Sequence, residues 1–263
     1  MIPKIIHYCW FGHNHKTKLV RKCIRSWRKY CPDYQIIEWN EDNYDISSSP
    51  LFVQQAIQEG KWAFASDYVR LRVVYEHGGF YLDTDVELVK SLDELVYNKI
   101  YFGLQDKANN CSIKIATGLG FGAEKGAPLL LEIMEIYEAR QFILPDGTYD
   151  LTWNTRKETE VLLRHGLKQD GSEQLLDDGV HIYPSVYFNP KVISPCIPVR
   201  KTKHTISIHW YASSWFSDRE KREESRKRRK SVIKYYLHIP HRAGRVLLGD
   251  ERYEKLKSLL KRR

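Results

Sequence analysis

Apolar and polar positions alternate between two periods along the first ninety residues. Residues 4–10 (KIIHYCW) form a short, nearly continuous apolar run that stops near Gly12, the pattern of a buried strand. Leu19, Val20, Cys23, Ile24 and Trp27 then recur at helical spacing with Lys and Arg between them, which predicts an amphipathic helix. A second strand is expected over 34–39 (YQIIEW) and a second helix over 62–77, where Phe64, Tyr68, Leu71 and Tyr75 make one apolar stripe. Gly78 and Gly79 end that helix as a C-cap and open onto GGFYLDTDVE, a run of strand-forming residues carrying three carboxylates. If it is one continuous strand, Tyr81, Asp83, Asp85 and Glu87 share a face, with like charges roughly 7 Å apart. Such a row is unfavourable unless a positive charge meets it. Its bland alternative is an exposed edge strand with solvated acids.

Beyond residue 90 the pattern predicts strands at 100–105, 112–122, 180–184 and 205–211, with helices at 128–140 and 155–165. Strand–helix alternation in the first ninety residues argues for an α/β domain with a mostly parallel central sheet flanked by helices. A boundary is expected near Ser217, where SDRE has capping-box form, dividing a catalytic domain (1–217) from a basic helical C-terminal extension (218–263). The extension is expected to break at Pro240 and resume as a last helix bearing Tyr253, Leu256, Leu259 and Leu260.

Charge sharpens that division. The 263 residues carry 42 Lys and Arg against 33 Asp and Glu, a net of +9. Residues 219–263 hold 17 basic and 6 acidic groups, a net of +11, so 1–218 retain 25 basic and 27 acidic groups, a net of −2. The basicity belongs to the tail. No apolar run approaches the roughly 20 residues of a membrane span, and MIPKIIHYCWFG lacks the features of a secretory signal. The five scattered cysteines, with no CxxC pair, argue against a disulfide framework or a thiolate zinc site and for a reducing cytoplasm.

Asp83 and Asp85 at the end of an α/β strand suit a hard divalent cation, Mn²⁺ or Mg²⁺. Such an ion could neutralise a departing diphosphate. On the preceding helix Asp67 and Arg70, three residues apart, are surface neighbours that could reach the same rim; a plain surface ion pair is the bland reading. Trp10 ends the first strand at that rim, where a tryptophan is more often core than ligand.

Five ordered blocks (IPKIIHYCWFG, SWRKYCPDYQIIEWNE, AFASDYVRLRVVYEHGGFYLDTDVE, IYPSVYFNP and SIHWYASSW) together resemble glycosyltransferase family 32 over residues 1–217. These are the Asp-x-Asp sugar-transfer domains of bacterial capsule and lipopolysaccharide clusters, related to yeast mannosyltransferases and clostridial glucosylating toxins. The resemblance implies a GT-A fold, a nucleotide-diphosphate-sugar donor, a divalent metal and retention of anomeric configuration. On this sequence it places Cys9 and Trp10 against the nucleobase and Trp62 in the donor-binding set. Ser66, Asp67 and Arg70 fall toward the sugar hydroxyls and phosphates, with Tyr81 by the ribose. Asp83 bridges ribose or sugar to the metal, Asp85 coordinates it and His209 supplies a further ligand. Ser214 and Trp215 close over the diphosphate, and Asn154 lies near the reacting sugar. The roles agree with the residues themselves: the acids gain a counter-charge and Arg70 offers a fork suited to phosphate. No second carboxylate at a recognisable spacing marks a glycosidase-like nucleophile, which favours front-face attack assisted by the leaving phosphate.

The expected donor is a UDP-hexose (galactose, glucose or an N-acetylhexosamine) and the acceptor a glycan, lipid-linked through polyprenyl. The basic tail is expected to hold the protein peripherally at an anionic membrane, on the cytoplasmic face. Two rival readings are a nucleic-acid-binding module and a haloacid-dehalogenase-like phosphatase. The first has only the tail in its favour and none of the body's motifs, so no nucleic-acid partner is expected. The second would use Asp83 and Asp85 with Asp177 and Asp178, but has Glu87 where Thr or Val is required.

Overall fold

The computed structural model describes residues 1–105, 113–190 and 201–212, with Glu223 and Arg226 besides. Its elements all fall within one compact unit. In chain order they are β1 (Ile5–Cys9), α1 (Lys18–Tyr30), β2 (Gln35–Trp39), α2 (Leu51–Gln58), α3 (Trp62–His77), β3 (Gly79–Tyr81) and β4 (Val86–Leu88). There follow β5 (Ile100–Gln105), β6 (Lys114–Ile115), β7 (Phe121–Ala123), α4 (Pro128–Glu138) and α5 (Asn154–Arg164). The last are β8 (Gln174–Leu175), β9 (Val180–Tyr183), α6 (Ser185–Phe188) and β10 (Ser207–His209).

The central sheet runs β2-β1-β3-β7-β5-β9-β8, with β6 added on β5. β1 is parallel to β2 and β3, and β5 is parallel to β9, while β7 lies antiparallel between β3 and β5. Five strands of this path therefore point one way, and only β7 and β8 oppose them. This is the mixed α/β, mostly parallel sheet flanked by helices that the sequence predicts. β4 leaves it and pairs with β10 in a separate two-stranded ladder, Val86 opposite His209 and Leu88 opposite Ser207.

Strand alternation divides the core in two. Cys9, Tyr81, Phe102 and Ile182 face one side, packed with residues of α2–α5, and Ile6, Tyr8, Phe80 and Tyr101 face the other with those of α1 and α6. Thr17 caps α1 by accepting from the Val20 amide. The fully buried Trp27 ties that helix to the two-stranded ladder, its indole N–H donating to Val86 O at 2.8 Å. At the end of α3, Gly79 sits at φ +109°, and a Cβ there would lie 2.7 Å from Ile5 O, so only glycine lets β3 approach β1.

Four expectations need correction. GGFYLDTDVE is two strands joined by a turn at 82–85, not one strand. The ladder to β1 ends where the Leu82 amide donates to His7 O, and a turn bond from Val86 N to Asp83 O redirects the chain. The turn breaks the row of acids, separating Glu87 from an acid pair that it draws together beneath His209. The run 112–122 likewise contains two short strands with a 3₁₀ turn at Thr117–Leu119 between them. The strand expected over 205–211 shortens to β10. Finally, α3 is no single-striped helix: Ala65, Val69, Leu71, Val73 and Val74 are all buried, because the helix lies between the sheet and α2 and α4, while Phe64 and Tyr75 sit partly buried beside them. Helix α2 has no counterpart in the sequence pattern.

Cys9, Cys23 and Cys31 are buried free thiols, and among the described residues no helix is long and apolar enough to cross a membrane. The capping box near Ser217, the tail helices, Ser214 and Trp215 lie outside the described residues, except for Glu223 and Arg226.

Candidate active site

At the C-terminal end of β3 the turn 82–85 carries Asp83 and Asp85 side by side beneath His209 of β10. His209 Nε2 lies 3.2 Å from Asp85 Oδ1 and 3.8 Å from Asp83 Oδ2. One donor atom from each of the three falls within 4.8 Å of the others. The backbone fixes the arrangement: the Trp210 amide donates to Asp85 O at 3.0 Å and the Ala212 amide to Asp85 Oδ2 at 2.7 Å. His209 Nδ1 accepts from the Tyr211 amide, which leaves the Nε2 hydrogen facing the carboxylates. Burial works against the imidazolium, but Asp85 and Asp83 outweigh it and raise the His209 pKa. The ring thus presents a proton where two carboxylates converge, the place and sign a cation would take. Two hard oxygen donors and an imidazole suit Mn²⁺ or Mg²⁺ once that proton is released.

The opposite oxygen of Asp83 is held by the deeply buried Arg70, whose Nη2 lies 3.0 Å from Asp83 Oδ1 while Nη1 lies 2.9 Å from Asp67 Oδ1. Burial pushes the Asp83 carboxyl upward, yet Arg70 and the His209 hydrogen bond hold it below the usual carboxylate range. For Asp67 burial prevails over Arg70 and raises its pKa to about 7. Arg70 stands over the Tyr81 ring at 5.1 Å, and Tyr81 with Ser66 borders the Cys9 thiol. Gly118 closes the other side of Asp83: a Cβ there would fall 2.4 Å from Asp83 Oδ2.

Asn154, at the start of α5, donates through Nδ2 to Asp67 Oδ1 at 3.0 Å and to Glu158 Oε1 at 3.2 Å. Glu158 is 1 % exposed, and both its oxygens bind Thr117, from the hydroxyl at 2.6 Å and from the amide at 3.2 Å. Thr117 Oγ1 in turn accepts from Arg70 Nη1 at 3.3 Å. Glu158 and Thr117 are members of the network that sequence reasoning missed. A signal existed: Glu158 lies four residues after Asn154 and shares the buried face of α5 with Val161 and Leu162, an unusual place for a carboxylate without partners.

The structure therefore brings together Asp67, Arg70, Tyr81, Asp83, Asp85, Asn154 and His209, with Cys9 and Ser66 adjoining. Ser66 Oγ is turned to its own helix, donating to Trp62 O. Trp10 and Trp62 stand at the neighbouring loop after β1, where the Trp10 indole donates to Asn14 O and the Trp62 ring covers Gly12. Asp177 and Asp178 precede β9, at the end of the sheet opposite to Asp83, so the four acids of the phosphatase reading do not meet.

Residues 17–101, which hold α1 to α3 and the acid turn, match the family model "Glycosyltransferase sugar-binding region containing DXD motif". Over 139 residues the chain is 28 % identical to inositol phosphoceramide mannosyltransferase 3 of Schizosaccharomyces pombe, covering 51 % of this chain and 36 % of that protein. Over 108 residues it is 30 % identical to inositol phosphoceramide mannosyltransferase 2 of the same yeast, covering 38 % and 30 %. The chain spans about a third of the length of these curated relatives. Among solved structures, it is similar to the PaToxG glycosyltransferase (18 % identity, 62 % and 69 % of the two chains, TM-score 0.46). It is also similar to a glycosyltransferase involved in glycosylation of the major capsid of PBCV-1 (15 %, 85 % and 98 %, TM-score 0.42). Residues 17–101 are thus similar to the Asp-x-Asp glycosyltransferase sugar-binding region. The resemblance to family 32 read from the sequence is upheld by that match and by the mannosyltransferase relatives.

Proposed function

We propose that this chain is a retaining hexosyltransferase that moves a sugar from a nucleotide diphosphate to a glycan acceptor, with residues 1–217 as the catalytic domain. The observation that carries this reading is the convergence of Asp83, Asp85 and His209 beside the Asp67–Arg70–Asn154 network, inside the region that matches the sugar-binding family. A divalent cation held by Asp83 and Asp85, with His209 once deprotonated, would neutralise the diphosphate as the glycosidic bond breaks.

The chain's own residues have distinct tasks. Arg70 clamps Asp67 and Asp83 at once, which fixes the distance between the sugar-facing and diphosphate-facing sides of the site. Asp67 gives Oδ1 to Arg70 and Asn154 and keeps Oδ2 to accept a sugar hydroxyl. Glu158 and Thr117 hold Asn154 and Arg70 in place from beneath. The nucleobase falls to Trp10, with Cys9 at its edge, and the ribose to Tyr81, while Trp62 stays in the donor-binding set. Ser214 and Trp215, which lie outside the described residues, keep the role that the family resemblance implies, closing over the diphosphate so that transfer would outrun hydrolysis. Asp67 and Glu158, the buried carboxylates of the network, are both engaged by positioning bonds, which supports front-face attack over a carboxylate nucleophile.

The acid pair and the hexose-transferring relatives leave the nucleotide to be assigned; our reading is UDP-hexose as donor. A lipid-linked acceptor of bacterial capsule, exopolysaccharide or lipopolysaccharide type would be met at the cytoplasmic face of the membrane, with the +11 tail as the peripheral anchor. The test is a panel of UDP-sugars and GDP-mannose with Mn²⁺ or Mg²⁺, scoring release of nucleotide diphosphate. We expect turnover of a UDP-hexose. In Asp85→Asn it should fall by at least about 100-fold, beyond the 10–100-fold typical of a residue that only orients a ligand. Turnover of GDP-mannose alone would overturn the donor assignment, and no turnover of any sugar nucleotide would overturn the function.

A further inference from the structure

Residues of α1, Glu87 and Leu88 of β4, and the segments 89–90 and 201–205 line a cleft of about 450 Å³. Five cations line it (Lys22, Arg25, Lys29, Lys90 and Lys201) against a single carboxylate, Glu87, a net of +4. That carboxylate is already engaged, accepting from Lys22 Nζ at 2.7 Å and from the Trp210 indole N–H at 2.9 Å. Among the described residues Arg25, Lys29 and Lys201 have no ion-pair partner.

Helix α1 sharpens the asymmetry, since its exposed face holds six Lys and Arg and no Asp or Glu. A helix face that is merely solvated gains from alternating signs, whereas like charges three and four residues apart cost stability. An anion laid across them removes that cost. The cations line a concavity together with Ser26, Thr202 and Thr205. Such a shape suits a compact, multiply charged group. The chain's own tail is no candidate occupant, because residues 219–263 carry +11 themselves.

We propose that this cleft binds a phosphate or diphosphate group, and that the group belongs to the acceptor; the second half of the statement rests on the proposed transfer. The geometry supports the link. β4 lends Glu87 and Leu88 to the cleft and follows directly on the acid turn, for Glu87 is two residues from Asp85 and Val86 pairs with His209. A molecule anchored by phosphate beside Glu87 therefore has a short path along β4 to the acid pair.

The experiment reads binding alone, on the full chain without sugar nucleotide or divalent cation. One arm titrates inorganic pyrophosphate by calorimetry. The other sediments the protein with phosphatidylcholine vesicles containing phosphatidic acid, against phosphatidylcholine alone. Arg25→Glu is compared with Lys125→Glu, an exposed charge reversal outside the cleft. We expect Arg25→Glu to weaken binding on the order of tenfold in at least one arm while Lys125→Glu matches the wild type. A response in the pyrophosphate arm assigns the cleft to soluble phosphorylated ligands, and a response in the vesicle arm alone assigns it to a lipid headgroup. Equal binding by both variants in both arms overturns the proposal. Transfer can fail with this binding intact, so the two readings fall separately.

Discussion

The segment from Asp83 to Leu88 divides two charge clusters that are near mirror images. On one side Arg70, with His209 beside Asp83, is the cation set among Asp67, Asp83 and Glu158; on the other Glu87 is the lone anion among the five cations that line the cleft. What separates them is water. The Arg70 side chain is 6 % exposed, whereas that of Lys22, which holds Glu87, is 49 % exposed. Charges removed from solvent need partners, and both terminal nitrogens of Arg70 find them in one connected network of Asp67, Asp83, Thr117, Asn154 and Glu158, with Nε left without a hydrogen bond among the described residues. Charges left in solvent are screened over about a Debye length and can stay unbalanced until a ligand arrives. The same imbalance therefore rigidifies one site and keeps the other open.

The largest effect that would break this comparison is loss of the buried Arg70 guanidinium. Arg70→Met should destabilise the fold by about 3–5 kcal/mol, because it leaves Asp67 and Asp83 without their counter-charge in a dry setting. Chemical denaturation at neutral pH measures it. A loss below about 1 kcal/mol would mean that the network is far better solvated than its burial indicates. Arg70→Lys should recover only part of the loss, since an ammonium cannot bridge two carboxylates in the manner of the guanidinium fork.

A second test asks what happens to a buried ionisable group with no opposite charge near it. His7, in the middle of β1, is fully buried, with Nδ1 accepting from the Trp39 indole at 3.1 Å and Nε2 donating to Gly78 O at 2.8 Å. Burial drives its pKa from 6.5 down to about 4. Between those values the unfolded chain binds a proton that the native chain refuses, so stability rises with pH through this window. His7 contributes fully above pH 6.5, and about 3 kcal/mol should be lost as pH falls through 4. In His7→Gln, the part of the acid-side loss that belongs to this residue should vanish from the pH–stability curve.

Much of this was legible beforehand. β1, α1, β2 and α3 follow from apolar periodicity, and the acid turn announced itself by charges that no strand could carry unpaired. What the sequence hides is the result of tertiary geometry. Asp83 and Asp85 meet His209 only because β4 leaves the main sheet and pairs with a strand more than a hundred residues later. Helix α2 is too short for its period to be distinctive, and α3 lost its apparent stripe because it is covered on several sides. Glu158 took no part in the sequence reading, because only the folded chain brings Thr117 and Asn154 to it. The six Lys and Arg of α1 were read as solvent spacing in an amphipathic pattern, when Lys22, Arg25 and Lys29 among them line a cleft with Glu87, Lys90 and Lys201.

The smallest expected effect lies in that cleft and completes the contrast. Lys22 makes an ion pair with Glu87 and stands 4.8 Å over the Trp210 ring, contacts that on a distance criterion rival those of Arg70. Half its side chain is nevertheless in water, where a pair of this kind contributes about 0–1 kcal/mol. Lys22→Ala should therefore shift the unfolding free energy by less than about 1 kcal/mol at physiological salt, and by less still at 1 M salt, where the remaining attraction is screened. A loss comparable to that of Arg70→Met would show that Glu87 is desolvated, and would make the pair part of the rigid framework of the acid site rather than of an open anion cleft.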